Sequence, residues 1–418
     1  MASNRRLEGE VRAIGRGGDG VVETGEGVVL VPGVLPGERV EFEVLPSKRG
    51  AARGRLKRIL AASDARVSPD CPHASSCGGC PLMIADSDLQ REVKLSFLRQ
   101  ACRGIPGADE VEPDWVPSAH DFGYRRRARF AWHRNALGYR ALHSKRVTDI
   151  DDCVVLEAPL RAAWSQTCSA LGDTLQGIGD IQLQRTSDDR VLVGLSTNDR
   201  QSPTLFAACE TLSKAPSVGG VTLRTEDSVA AASWGDTQVV LGDDETALHA
   251  PSGSFAQANE GINRALVEAV VALADPEGLR VLELHSGVGN FTVALAAASP
   301  SALVAVEQDP RAVEACQGNL KRRGLEARVT VGDANRPPKG RYDVVVLDPP
   351  RQGARALFED SGLLPGPKRV VYVSCDTATL GRDLGLAAAA GYRVDRMIGF
   401  DMFPQTAHLE SLVRLVRA

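Results

Sequence analysis

Hydrophobic and polar positions follow different periods in three regions of the chain. Residues 1–62 contain short apolar–polar alternations separated by Gly- and Pro-rich turns, a pattern typical of a small β-barrel. Residues 110–250 mix β-rich runs with helical pieces, which predicts an α+β middle domain. In residues 251–418, strand-like apolar runs alternate with helix-like segments. This alternation predicts an α/β domain with a parallel sheet and helices on both faces.

Two further segments connect these regions. Residues 63–84 form a loop rich in Cys, Gly and Pro, which we assign to the middle domain together with residues 110–250. Within residues 85–109, Leu89, Val93 and Phe97 follow the spacing of an amphipathic helix. We expect this helix to pack on the C-terminal domain.

Composition limits the class of protein. The 418 residues are 43% hydrophobic with a net charge of −4, which is sufficient for two or three domains with cores. The sequence has no apolar stretch of 18 residues and no apolar signal core near its N-terminus. We expect a soluble, cytoplasmic protein without a membrane span, and nothing in the sequence demands more than a monomer. Nine scattered cysteines argue against a disulfide framework.

Charge is distributed unevenly along the chain, which carries two basic stretches although its net charge is −4. Residues 122–146 hold eight Lys or Arg and no acid, interleaved with aromatic residues. Residues 45–60 also lack acids and carry Lys48, Arg49, Arg53, Arg55, Lys57 and Arg58. Basic side chains neutralise phosphates and aromatic faces stack on bases, so the two stretches favour a nucleic-acid partner. A solvated strand face with aromatic residues in the core is the alternative.

The C-terminal domain carries the pattern of a cofactor crevice. A strand-like run ends in a turn with Gly287 and Gly289, the next strand ends in Glu307, and the third is followed by Asp333. Glycines permit close backbone approach to a ligand, and a carboxylate at the second strand end can bind both ribose hydroxyls. The combination suits S-adenosylmethionine better than a dinucleotide. Glu307 could alternatively be a surface acid at a strand end.

Three further candidate residues lie at the ends of the remaining predicted strands. Asp348 precedes two prolines that end the fourth strand, Cys375 follows the fifth, and Glu410 begins the closing strand. Prolines cannot continue the ladder, so they can fix a rigid lip beside the crevice. The alternatives are a simple Pro-Pro terminator and a packed core cysteine.

These motifs together resemble the RNA uracil-C5 methyltransferase family over essentially the whole chain. The matching segments are "YRRRARF" at 124–130, "DIDDC" at 149–153, "GSFAQAN" at 253–259, Gly-x-Gly-Asn-Phe at 287–291, "LDPPRQG" at 347–353, "YVSCDTATLGRDL" at 372–384 and "QTAHLESLV" at 405–413. The N-terminal barrel is similar to the family's RNA-binding TRAM domain. The resemblance implies a Rossmann-like methyltransferase domain.

The resemblance also implies roles for individual residues. Cys375 would be the nucleophile that attacks C6 of uracil, and Glu410 would be the base that removes the C5 proton. The implied cofactor residues are Gln257, His285, Asn290, Glu307, Asp333 and Asp348. His285-Ser286 departs from the family's usual aromatic residue followed by Cys. Phe255 would pack on a base or in the core.

Three cysteines cluster in the loop before the predicted helix. Cys71, Cys77 and Cys80 supply three thiolates, and a tetrahedral site requires a fourth ligand. The resemblance implies that Cys153 is this ligand and that the group is a structural [4Fe–4S] cluster. Zinc is the alternative, because spacing alone does not distinguish the two. A redox CxxC has no thioredoxin-like context here.

The implied reaction is methylation of a uridine at C5 with S-adenosylmethionine as methyl donor. Barrel, cluster and basic middle domain favour 23S ribosomal RNA as substrate, with tRNA as the alternative. The RNA would run from the barrel past residues 125–129 to the crevice. Two rival classes are a non-catalytic RNA-binding factor on a methyltransferase scaffold and a metal–sulfur redox or sensor protein.

Overall fold

The chain folds into two compact units in the computed structural model. The first comprises Met1–Phe97, Ala141–His143 and Phe403–His408, and the second comprises Leu98–Arg140, Ser144–Met402 and Leu409–Ala418. The structure describes residues 5–25, 27–46, 50–134, 136–198, 202–226, 230–242, 247–359 and 366–418. The finer domain boundaries drawn from the sequence stay a prediction.

A closed five-stranded barrel opens the first unit, which confirms the expectation from the alternating pattern. Its strands are β1 (Arg6–Ile14), β2 (Gly20–Thr24), β3 (Gly27–Val31), β4 (Arg39–Leu45) and β5 (Ala52–Ala61). They close in the order β1-β2-β3-β5-β4. Alternate side chains point inward, so Val11, Val22 and Phe42 are buried in the barrel core.

A buried polar network joins helix α1 (Ser87–Cys102) to residues 403–408 within the first unit. The Gln90 amide donates to Gln405 Oε1 at 3.0 Å, and the Gln405 N–H donates to Gln90 Oε1 at 2.9 Å. Lys94 is fully buried and donates to the Phe403 carbonyl at 3.0 Å. Because a buried ammonium needs hydrogen bonds, these contacts specify where residues 403–408 lie on α1.

The predicted α+β region forms a seven-stranded sheet in the second unit. Strand β6 (Asp114–Val116) joins a different, eight-stranded sheet. The seven strands are β7 (Arg127–His133), β8 (Ala136–Arg140), β9 (Val147–Asp149), β10 (Ile178–Arg185), β11 (Val191–Thr197), β12 (Val218–Arg224) and β13 (Ala232–Gly235), in the order β13-β12-β11-β10-β7-β8-β9. Helices α2 (Ala158–Leu171) and α3 (Pro203–Ser213) contact this sheet. Phe130 of β7 stacks on Trp164 of α2 with 3.6 Å between the ring centroids.

The remaining elements build the α/β part of the second unit. The strands are the hairpin β14 (Gln238–Leu241) and β15 (Leu248–Pro251), then β16 (Arg280–Leu284), β17 (Ala302–Glu307), β18 (Arg328–Val331), β19 (Val344–Leu347), β20 (Arg369–Ser374), β21 (Tyr392–Phe400) and β22 (Glu410–Arg417). The helices are α4 (Glu260–Ala274), α5 (Thr292–Ala297), α6 (Pro310–Arg322), α7 (Arg355–Glu359) and α8 (Thr377–Ala389), and Ala108–Glu110 form a 3-10 turn.

The eight-stranded sheet has the order β18-β17-β16-β19-β20-β22-β21-β6. Its first five strands are parallel, and β22 is antiparallel to both β20 and β21. Strand β19 is buried at every position, as expected for a strand covered on both faces. Strand order reverses at β16, which lies between β17 and β19, and such a reversal opens a crevice at the carboxyl ends of the strands. The predicted α/β fold class is therefore confirmed.

Among the helices of the described residues, none is both long and apolar enough to cross a membrane.

Candidate active site

Three strands of the parallel sheet place polar side chains at one edge. Leu284, the last residue of β16, lies opposite the ends of β17 and β19. One residue further along the three strands come His285, Glu307 and Asp348. The carboxyl ends of parallel strands meet at the edge where open α/β sheets bind ligands. The fold thus brings together three of the residues predicted for the cofactor.

The turn after β16 depends on its two glycines. Gly287 and Gly289 have φ angles of 54° and 102°, which glycine adopts without strain. A Cβ on Gly289 would lie 3.0 Å from Sγ of Cys316, so a larger residue would separate the turn from α6. His285 has a φ of 64°, an uncommon value for a residue with a side chain.

The His285 ring is half-buried and keeps one unused polar atom. Burial lowers the pKa of the imidazole, and the nearby Glu307 and Asp333 carboxylates oppose this effect. Its Nε2 atom is buried without a hydrogen-bond partner. A buried polar atom without a partner is costly, so a ligand that bonds to Nε2 would be favoured.

Glu307 is fixed by backbone hydrogen bonds. Its carboxylate accepts from the N–H groups of Gly287 at 2.9 Å, Gln308 at 2.7 Å and Asp309 at 2.9 Å. A carboxylate has about four lone-pair sites, so capacity remains for a hydroxyl donor. This arrangement suits the predicted contact with a ribose.

A cavity of about 1140 Å³ opens over these strand ends. Five of the six predicted cofactor residues line it: Gln257, His285, Asn290, Glu307 and Asp348. Asn290 exchanges amide hydrogen bonds of 3.0 and 3.1 Å with Asn263 of α4, which fixes its orientation. Small-molecule sites usually occupy roughly 300–1,000 Å³, so this cavity has room for a cofactor and part of a second ligand.

Asp333 is the predicted cofactor residue outside the cavity lining. It follows β18, is exposed, and accepts from the Asn335 backbone N–H at 2.9 Å and side-chain amide at 3.1 Å. Its carboxylate is near enough to His285 to raise the pKa of that ring. Direct contact between Asp333 and a cofactor stays a prediction.

Cys375 directly follows β20, and Glu410 begins the neighbouring strand β22. Strands β20 and β22 pair so that Ser374 faces Ser411, and Cys375 and Glu410 are the next residues beyond this pair, near enough for Glu410 to add to the effect of burial, which raises the pKa of the Cys375 thiol. The Ser411 hydroxyl donates to the Ser374 carbonyl at 2.9 Å, which fixes the two strand ends. Cys375 is half-buried and Glu410 is only 3% exposed. The fold thus brings together the predicted nucleophile and base.

The charges around Cys375 set its proton affinity. Burial raises the pKa of the Cys375 thiol to about 11, the carboxylates of Glu410 and Asp348 add to the increase, and Arg351 opposes it. Burial raises the pKa of Asp348 to about 7 and that of Glu410 well above its usual range. With a pKa of about 7, the Asp348 carboxyl can exchange protons near neutral pH.

Arg351 and Glu283 are two site residues that the sequence reasoning missed. Arg351 directly follows the two prolines of the predicted lip, and its guanidinium lowers the pKa of both Cys375 and Glu410. Its position in that motif was the available signal. Together with a backbone hydrogen bond at Cys375, it favours the thiolate.

Glu283 lies within β16, two residues before His285. It is 1% exposed, and burial raises its pKa to about 8, with Asp348 and Glu307 adding to the increase. Nearby Thr292 opposes this shift. The carboxyl group is therefore mostly neutral at pH 7. A single acid inside an apolar run was the signal for it.

The basic stretch at 122–146 separates its charges from most of its aromatic rings. Tyr124, Phe130 and Trp132 are buried, so the expectation that they stack on bases is wrong and the alternative of core packing holds for them. Arg129 is exposed and bonds to Asp180 at 2.9 Å. From the stretch at 45–60, Lys48 and Arg49 lie outside the described residues.

Phe255 is an exposed aromatic residue at the cavity. Its side chain is 67% exposed, and the Arg127 guanidinium lies 5.4 Å from its ring centroid. Both residues line the cavity. Two environments were predicted for Phe255, a nucleobase contact and the core, and its exposure rules out the core.

The four cysteines predicted to bind a metal are not arranged as a metal site in the part of the chain that the structure describes. Cys71, Cys77 and Cys80 are half-buried and Cys153 is buried. Burial raises the pKa of the Cys77 thiol, and nearby Cys71 adds to the increase. Among the residues that the structure describes, no group of three or more His, Cys, Asp or Glu side chains is arranged to hold a metal ion. The geometry as it stands does not fit the predicted cluster.

Similarity to known proteins covers nearly the whole chain. A family model described as "Methyltransferase small domain" matches residues 246–360, and one described as "tRNA (Uracil-5-)-methyltransferase" matches residues 339–418. The chain is 34% identical over 413 residues to the 23S rRNA (uracil(1939)-C(5))-methyltransferase RlmD of Pectobacterium carotovorum, with 94% of this chain and 90% of the relative covered. The RlmD of Halomonas elongata is 33% identical, with 99% and 90% covered.

A solved structure has the same fold. The Pyrococcus abyssi tRNA (uracil-54, C5)-methyltransferase in complex with S-adenosyl-L-homocysteine matches with a TM-score of 0.76 and 25% identity, covering 98% of this chain and 100% of that one. The predicted methyltransferase fold is thereby confirmed, and the similarity to curated relatives extends over nearly the full length. The chain belongs to the RNA uracil-C5 methyltransferase family.

Proposed function

We propose that this protein transfers a methyl group from S-adenosylmethionine to C5 of a uridine in 23S ribosomal RNA, giving 5-methyluridine. The observation that supports the proposal is the Ser374–Ser411 pair at the ends of β20 and β22, directly beyond which come Cys375 and Glu410, with Asp348 of the cavity lining nearby. The relatives named for this reaction on 23S rRNA cover 90% or more of the chain. We further propose that the protein acts as a cytoplasmic monomer.

The residues around the cavity fit S-adenosylmethionine, which supplies an electrophilic methyl group when bound. The spare acceptor capacity of Glu307 suits the ribose hydroxyls. His285 Nε2 offers an unused hydrogen-bonding atom, and Gln257 and Asn290 add polar groups to the lining. Asp333 would act from the edge of this site.

The chain's residues can carry a covalent mechanism. The Cys375 thiolate bonds to C6 of uracil, and the electron pair of the C5–C6 double bond moves toward C5 and O4, which makes C5 nucleophilic. Once C5 has bonded to the sulfonium methyl group, with the broken S–CH3 bond leaving its electron pair on sulfur as a thioether, Glu410 would remove the proton from C5. Re-forming the double bond then breaks the C6–S bond and restores the thiolate. Arg351 favours this anion, and Asp348 can accept the initial thiol proton because its pKa is about 7.

The choice of RNA is testable directly. The curated relatives are named for 23S rRNA, whereas the solved relative is named for tRNA. The purified protein should transfer labelled methyl groups to 23S rRNA that lacks 5-methyluridine, and the same position in already modified RNA should accept none. Labelling of unmodified tRNA alone would move the substrate assignment to tRNA.

Cys375→Ala tests the covalent step. The matched control is Cys168→Ala, because Cys168 is also half-buried with a thiol pKa of about 11 but lies on α2. Cys375→Ala should abolish methylation, while Cys168→Ala should retain it. Full activity of Cys375→Ala would rule out this cysteine as the nucleophile.

We also propose that Cys71, Cys77, Cys80 and Cys153 bind a structural [4Fe–4S] cluster. Cysteine spacing and the family resemblance support this proposal, although the described side chains are not arranged as a metal site. No step of the reaction depends on it. Anaerobically purified protein should contain iron and sulfide and absorb in the visible range, and zinc without such absorbance would support the alternative metal.

A further inference from the structure

A buried hydrogen-bond cluster around Asp383, the clamp, holds the turn that carries Arg351. The turn follows the Asp348-Pro-Pro lip, and the Gly353 N–H donates to the Pro350 carbonyl at 2.8 Å. Gly353 has a φ of 77°, and a Cβ on it would collide with Asp383 Oδ2. The turn is therefore shaped to lie directly against Asp383.

Asp383 on α8 is completely buried and gathers three donors. It accepts from the Tyr372 hydroxyl at 2.7 Å, from the Ala354 N–H at 2.6 Å and from Arg382 Nε at 2.8 Å. Burying a carboxylate is costly unless it is paired and hydrogen-bonded, so all three donors contribute to its stability. Losing one of them loosens the turn on that side.

The clamp joins both elements that flank the nucleophile. Tyr372 lies on β20, whose last residue precedes Cys375, and Asp383 lies on α8, which begins two residues after Cys375. Arg382 of the same helix also donates to the Gln352 carbonyl at 2.7 Å. The turn with Arg351 is thus held by α8, and β20 contributes through the hydrogen bond from Tyr372 to Asp383.

We propose that Asp383 and Tyr372 are positioning residues: their hydrogen bonds hold the turn at 350–354 so that Arg351 stays beside Cys375. The proposal rests on the covalent function proposed above. The charged groups around Cys375 are Glu410 on β22, Asp348 at the end of β19, and Arg351. Arg351 is exposed, so its position depends on the turn. If the turn loosens, the Arg351 charge no longer opposes the effect of Glu410 and Asp348 on the thiol.

Tyr372→Phe is the main test, because it removes one hydroxyl and keeps the ring. Asp383→Asn is the stronger change, and Arg351→Met removes the charge itself. Tyr392→Phe is the matched control, since this buried hydroxyl donates to Pro367 at 2.9 Å in another part of the sheet. Single-turnover methylation of 23S rRNA by the full chain is measured from pH 6 to 10.

At pH 7, Tyr372→Phe should slow methyl transfer by about tenfold, with the KM for RNA changed by less than about threefold. The rise of the rate with pH should move to higher pH, as it does in Arg351→Met, and Tyr392→Phe should match the wild type. The double variant Arg351→Met/Tyr372→Phe should be no slower than Arg351→Met alone, because both changes act through one group.

Additive effects in the double variant, or an unchanged pH profile in Tyr372→Phe with only a lower melting temperature, would overturn the proposal. If Asp383→Asn does not fold, Tyr372→Phe still decides. Cys375→Ala distinguishes a failure of the proposed covalent function from a failure of the clamp. An active Cys375→Ala protein refutes the covalent function, whereas an inactive one beside a wild-type profile in Tyr372→Phe refutes the clamp alone.

Discussion

Glu283 gives a quantitative test of the electrostatics under the cofactor crevice. Burial raises the pKa of this carboxyl from 4.5 to about 8. Because the folded pKa lies above the unfolded one, the folded protein binds the extra proton between these values, and stability falls as the pH rises through this window. At about 1.36 kcal/mol per pKa unit, this single group should cost the folded state on the order of 2 kcal/mol between pH 6 and 8.

Glu283→Gln removes the titration and keeps the size and shape of the neutral acid. Urea unfolding of the full chain at pH 6 and pH 8 gives the free energy of unfolding for the wild type and the variant. The wild type should lose about 2 kcal/mol more than Glu283→Gln over this range. Glu277→Gln, an exposed glutamate, is the control and should follow the wild type. Equal losses in Glu283→Gln and the wild type would show that Glu283 does not titrate as a buried neutral acid.

Three further predictions concern the cofactor turn and the first unit. Glu307→Gln should weaken binding of S-adenosylmethionine by about tenfold or more in calorimetry, because an amide loses acceptor sites, whereas exposed Asp333→Asn should weaken it by less than about threefold; the reverse order would exchange their roles. Gly289→Val should lower the free energy of unfolding by about 1–3 kcal/mol, because its φ of 102° and its contact with Cys316 leave no room for a side chain; wild-type stability would contradict this. Lys94→Ala removes a buried donor and its packing, so it should cost about 2–4 kcal/mol in urea unfolding, and a loss below about 1 kcal/mol would contradict the role given to this network.

The strands of the α/β sheet could be predicted because buried parallel strands are continuous apolar runs that end at polar residues. His285, Glu307 and Asp348 follow such ends, and parallel order alone brings them to one edge. The proximity of Glu410 to Cys375 was not accessible in this way. It depends on the antiparallel register between β20 and β22, which leaves no local mark in the sequence.

Other features needed the structure for different reasons. In β7, Arg129 and the buried Phe130 alternate, so period-two alternation could have assigned the charges and the rings to opposite faces. The sequence identifies Glu283 only as a strand residue, and its burial is visible only in the structure. The neighbours of Arg351 are distant in sequence, because its turn is held by Asp383 of α8.

Cysteine spacing illustrates a separate limit. Cys71, Cys77 and Cys80 are close in sequence, and this proximity indicates a possible ligand set. Whether thiolates converge depends on side-chain directions, and in the described residues they do not form a metal site. The binding of a metal is therefore a matter for direct measurement.

The most direct test of the covalent mechanism is the fate of RNA on Glu410→Gln. This variant keeps the nucleophile and loses the base, so methyl transfer should proceed and elimination should stop. Mass spectrometry after incubation with 23S rRNA fragments and S-adenosylmethionine should find a methylated uridine bonded to the peptide containing Cys375. Normal turnover with release of free 5-methyluridine RNA from Glu410→Gln, or an adduct on another residue, would contradict the account.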